Sequence, residues 1–126
     1  MTKDGPRLYR RRLPPISSKK LVGDGSLGTI TLSSAIHEAK GTPFFIKMDI
    51  EGFERFVIQS SLDFLRNNKI KLSCCVYHRQ DDDVVIEKML KDVGYRTEFS
   101  DGFMLPDFNG IKFPYFRHGV LYARNF

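Results

Sequence analysis

Ile46-Lys47-Met48-Asp49-Ile50-Glu51-Gly52-Phe53-Glu54 is the stretch on which the reading of this chain turns. With Phe44 and Phe45, its first residues form a short, nearly continuous apolar run, the pattern of a strand covered on both faces. The run stops at Asp49, and acidic groups follow at the strand's carboxyl end, the edge where open α/β sheets place ligands. Asp49 and Glu51 are suited to accept hydrogen bonds from a ligand, to act as a base or to hold a cation. They are equally suited to cap the next helix and to place favourable charge at its N-terminus. Glu54 lies one turn into that helix, where a surface ion pair with Arg55 or Lys47 is the bland alternative to a role at the edge.

Downstream, Phe53, Phe56, Val57, Leu62, Phe64 and Leu65 recur at mostly helical spacing and predict one helix from about Gly52 to Asn67. Leu72 to Tyr77 reads as a second buried strand that stops at His78. Asp81-Asp82-Asp83 opens a second helix, with an apolar face of Val84, Val85, Met89, Leu90 and Val93 and a stop at Gly94. Arg96 to Phe103 and Phe116 to Ala123 read as two strands joined by a loop, and Gly119 to Ala123 suits a sheet interior. Two strand–helix–strand steps predict parallel pairing with right-handed crossovers. The last two strands have no helix between them and are expected to pair antiparallel.

Parallel neighbours bring their carboxyl ends together, so Asp49 and His78 are expected at one edge. A neutral histidine there is a general base; the alternative is a polar strand end bonded to a loop. His37 and His118 read as isolated, structural or exposed.

Residues 21–126 read as one α/β domain, preceded by a basic, flexible arm over residues 1–20. The arm holds seven bases (Lys3, Arg7, Arg10, Arg11, Arg12, Lys19, Lys20) against Asp4, a charge of +6, so the other 106 residues carry −1 within the net +5. A basic arm binds phosphate non-specifically, but no aromatic strip accompanies it, which argues against nucleic acid as partner. Leu21-Val22 and Leu27 to Leu32 suggest an extended or hairpin-like passage, and Thr31 or Ser33 caps a short helix ending near Lys40. Gly23-Asp24-Gly25-Ser26-Leu27-Gly28 matches G-x-G-x-x-G literally, but strand-favouring residues follow it where a helix must open, so it reads as a turn. Cys74 and Cys75 lie inside an apolar run and read as reduced core thiols of a cytoplasmic protein. No apolar stretch approaches membrane-spanning length, and the N-terminus lacks the apolar centre of a signal peptide.

Lys47-Met48-Asp49-Ile50-Glu51-Gly52-Phe53-Glu54 resembles the K-x-D-x-E-G-x-E signature of FkbM-type methyltransferases. Thr31-Leu32 before a short helix, Cys75-Val76-Tyr77-His78-Arg79, Gly94-Tyr95 and Gly119-Val120-Leu121-Tyr122-Ala123 agree with that family's order of elements over residues 29–124. The resemblance implies a Rossmann-like class I fold that binds S-adenosylmethionine and transfers its methyl group to a hydroxyl of a sugar or small metabolite. It implies that this chain holds a partial sheet, the fourth to seventh strands, mostly parallel with a C-terminal antiparallel hairpin. The Gly-rich loop for the cofactor and the acid for its ribose find no match before residue 44, so a truncated, weakly active or inactive domain is expected. Asp49 or His78 would be the base and Glu51 would orient substrate or base, with no metal required. The competing reading is a non-catalytic α/β interaction domain derived from that fold. In the family's fold the strand Phe44–Met48 is interior, so here its missing neighbour leaves an open edge. Either residues 27–32 cover that edge or two chains pair there; the shortness of 27–32 and Gly28 favour a homodimer.

Overall fold

A computed structural model of the chain describes residues 31–38, 45–106 and 116–126. The basic arm, the passage through residue 30 and the G-x-G-x-x-G turn lie outside the described residues. In chain order the elements are α1 (Leu32–Glu38), β1 (Phe45–Met48), α2 (Glu54–Ser60), α3 (Leu62–Asn67), β2 (Lys71–Cys75), α4 (Asp82–Asp92), β3 (Arg96–Phe99) and β4 (Val120–Arg124). Thr31 caps α1, its hydroxyl accepting from the Ser34 N–H at 3.3 Å.

The strands form one four-stranded sheet in the order β1-β2-β4-β3. β1 and β2 run parallel, with Met48 level with Cys74, while β4 is antiparallel to both β2 and β3. The expected parallel step from β1 to β2 and the expected antiparallel pairing of the last two strands are both present. The second expected parallel pairing is absent, because β4 lies between β2 and β3. Burial accounts for the order: Leu121 and Ala123 of β4 are almost wholly enclosed, whereas β3 alternates exposed and half-buried residues and takes the edge. Among the described residues β1 is the opposite edge, with Phe45 exposed.

The core lies between the helices and one sheet face. Met48, Leu72, Cys74, Leu121 and Ala123 of the sheet meet Val57 and Ile58 of α2, Leu65 of α3, and Ile86 and Leu90 of α4. Each fully enclosed Leu or Ile contributes about 1.5–3 kcal/mol relative to exposure.

Helical spacing located these helices but misassigned parts of their faces. Phe53 and Phe56 are exposed, and Ile58 takes the inner position; on α4, Val84 faces solvent and Ile86 is buried. The predicted 52–67 helix is also two helices. The Ser60 hydroxyl donates to Val57 O at 3.1 Å, occupying the carbonyl that the Ser61 N–H would use, and that N–H turns to Ile58 O at 3.0 Å. Gly94, at φ +95°, ends the α4 segment as expected.

Candidate functional site

The carboxyl ends of β1 and β2 lie side by side, and each runs into a loop that opens a helix. After β1 the chain reverses through Glu51 (φ 57°) and Gly52 (φ 96°), two consecutive left-handed residues. The conformation is ordinary for Gly52 and costs about 1–2 kcal/mol at Glu51.

Glu54 holds this turn in place. It is wholly buried, and its carboxylate accepts from the Ile50 N–H (Oε1, 2.9 Å) and the Gly52 N–H (Oε2, 2.9 Å). The same Oε1 lies 3.0 Å from Nδ1 of His78, pairing the two loops. A second stitch runs from Arg79 Nε to Gly52 O at 2.7 Å. A third is Asp82, buried at the start of α4, which accepts from Arg55 Nε at 2.7 Å and from the Arg79 N–H at 3.1 Å.

These stitches turn His78 so that Nε2 looks out of the sheet edge, 3.6 Å from Asp49 Oδ1 and 3.6 Å from Glu51 Oε2. The imidazole side chain is 6% exposed, against 44% for Asp49 and 84% for Glu51. A buried, oriented nitrogen thus faces two carboxylates that water and ligands reach. The structure therefore brings together all three residues singled out from the sequence. His37 and His118 stand apart: His37 is exposed, and His118 stacks on Phe99 with ring centroids 4.0 Å apart.

Glu54 is the residue that sequence reasoning misplaced. The surface ion pair weighed for it is not formed: Glu54 is wholly buried, and Arg55, one of the two partners considered, binds Asp81 and Asp82. The signal was present in the last acid of D-x-E-G-x-E. Two left-handed residues before a helix swing the first helical side chain back under the turn, but spacing alone does not show that reversal.

Cys75 flanks Asp49 from within the sheet. Burial, then the charges of Asp49 and Glu54, push its thiol up to about 11. Burial, with Glu54 next, pushes Cys74 higher still. Both cysteines are buried and free of disulfide. Thiolate, not thiol, is the reactive form. Thiol-specific reagents at neutral pH are therefore expected to leave the folded chain unlabelled and to modify both cysteines after unfolding. Fast labelling of the native chain would show β2 opening on its own.

Residues 16–97 match the family model described as the methyltransferase FkbM domain. The chain belongs to the FkbM methyltransferase domain family. The matched span contains the whole FkbM edge just described, from Asp49 through His78, together with α4 and the first half of β3. No curated protein and no solved structure matches the chain.

The family implies S-adenosylmethionine as methyl donor. A cavity of about 240 Å³ is lined by Phe45, Lys71, Arg96, Tyr122 and Arg124 among others. It lies at the amino ends of β1 and β2, the far end of the sheet from Asp49 and His78, and is smaller than usual ligand pockets of about 300–1,000 Å³.

Proposed function

We propose that this chain carries the acceptor side of an O-methyl transfer site, with a hydroxyl of a sugar or other small metabolite as substrate. One observation carries the reading: in a chain of the FkbM family, His78 Nε2 and Asp49 Oδ1 flank one point at the carboxyl edge of two parallel strands. A hydroxyl seated there is within reach of both groups, and either accepts its proton once deprotonated. Buried Glu54 orients the imidazole, and exposed Glu51 orients further hydroxyls of the acceptor. S-adenosylmethionine, when bound, supplies the methyl group.

Two measurements test this. Titration of the 126-residue chain with S-adenosylmethionine is expected to give a dissociation constant of about 1 mM or weaker. Micromolar binding would mean that residues outside the described ones form a cradle. The second is transfer from labelled donor, at high concentration, to a panel of hydroxylated sugars and metabolites, read as methyl ether formation. His78→Ala and Asp49→Asn are expected to lower the rate by about 10²–10⁴. Transfer at the parent rate in both variants sinks the acceptor-edge reading.

A further inference from the structure

We infer that Asp49, Glu51 and His78 form a binding site for a hard divalent cation of the Mn²⁺ or Mg²⁺ class. The three donor atoms, Asp49 Oδ1, Glu51 Oε2 and His78 Nε2, all lie within 4.8 Å of one another. Nε2 is 3.6 Å from each of the two carboxylate oxygens. A proton shared by hydrogen bonding draws a nitrogen and a carboxylate oxygen to about 2.7–2.9 Å. An octahedral ion with ligands at about 2.1 Å instead separates adjacent donors by about 3 Å and opposite donors by about 4.2 Å. The 3.6 Å spacings exceed a hydrogen bond and lie between those two values, so both carboxylates and the imidazole reach one ion with a small side-chain adjustment.

The surroundings of His78 supply a separate argument. Its Nδ1 lies against the buried carboxylate of Glu54, which is anchored on two backbone N–H groups. At 3.0 Å the carboxylate is close enough to orient the ring, and a carboxylate bonded to one imidazole nitrogen makes the other a better metal ligand. A histidine serving only to end a strand has no need of a buried carboxylate behind it and two exposed ones in front. One imidazole with two carboxylates favours manganese or magnesium over thiolate-seeking metals.

The sequence reading required no metal, and the inference departs from it on these distances. All three ligands come from one sheet edge. The bound ion would lower the pKa of an acceptor hydroxyl beside it; His78 would then serve as ligand and not as base, and Asp49 Oδ2 would be left to take the proton. That use of the ion rests on the acceptor-edge reading above; the binding itself does not.

The test is a titration of the full chain with Mn²⁺ alone, followed by loss of the free-ion electron paramagnetic resonance signal, with neither methyl donor nor acceptor present. One saturable site per chain is expected. Glu51→Gln is the safest ligand variant, because that side chain is largely exposed and its loss leaves the core untouched; it is expected to weaken binding at least tenfold. Glu54→Gln, which touches no ion, is expected to weaken it about 10–100-fold through His78. Far-ultraviolet circular dichroism confirms that each variant is folded. No saturable binding below about 1 mM overturns the inference. Binding of parent strength in Glu51→Gln also overturns it, because the ion then sits elsewhere, as at Asp81–Asp83. A chain that binds Mn²⁺ but transfers no methyl group upholds the site while removing the acceptor-edge reading, and the reverse result separates the two the other way.

Discussion

Replacing Glu54 by alanine is expected to lower the free energy of unfolding by about 3–5 kcal/mol, because a buried carboxylate that accepts from two backbone amides is lost. The side chain is wholly enclosed, accepts from the Ile50 N–H and the Gly52 N–H, and lies 3.0 Å from His78 Nδ1. Alanine leaves both amides without their acceptor, at about 1–3 kcal/mol for each one that water cannot reach. It also releases the clamp on Glu51, whose left-handed backbone the two flanking hydrogen bonds hold. The contributions overlap because they share one carboxylate, so they do not add. Glutamine keeps the volume and one acceptor oxygen and is expected to cost about 1–2 kcal/mol. Urea unfolding of the three proteins reads these values directly. An alanine variant within about 1 kcal/mol of the parent would show that water replaces the carboxylate and that the turn is held by other means.

The second large effect is at Asp82. Asp82→Ala removes a buried carboxylate that ties Arg55 of α2 to the start of α4 and accepts the Arg79 N–H. Arg55 keeps some access to water and keeps Asp81, so the expected loss is about 2–4 kcal/mol, less than at Glu54. Asp81 itself supplies a pH-dependent contrast. Its hydrogen bond from Arg55 holds the Asp81 carboxyl below its ordinary value of 3.8. A group whose pKa is depressed by folding contributes stability above its unfolded value and loses it as pH falls through the folded one. The Asp81 side chain is 64% exposed, so its contribution at neutral pH is under about 1 kcal/mol. Asp81→Asn is thus expected to be slightly destabilising at neutral pH and indistinguishable from the parent in strong acid. A difference that persists in acid would assign its effect to something other than the Arg55 pair.

The stretch from Ile46 to Glu54 decided much of this protein by itself. An apolar run ending in Asp49 is a strand reaching a polar edge, though β1 is not covered on both faces as its composition suggests: Phe45 and Lys47 are exposed and only Met48 is buried. A second such run ending at His78 had to bring that histidine to the same edge, because strands joined by a helix run parallel. Local chemistry also placed the Thr31 cap and the Gly94 stop, each the work of one side chain or one backbone angle.

Other features depend on residues distant in sequence. β4 inserted between β2 and β3 because Leu121 and Ala123 gain more from the helix-covered centre than β3 does, a comparison no local pattern contains. Val84 and Ile86 are both apolar, and only the direction of α4 against the sheet selects which is enclosed. Glu54 reads as a surface acid at the start of a helix. It becomes the buried support of His78 because the left-handed Glu51-Gly52 turn folds it beneath the loop, and because His78, 24 positions on, arrives through β2 to meet it. The acids and the histidine were legible as residue types at strand ends. Their convergence within a few ångströms was decided by the register of β1 on β2, Met48 beside Cys74, which sets the two strand ends level.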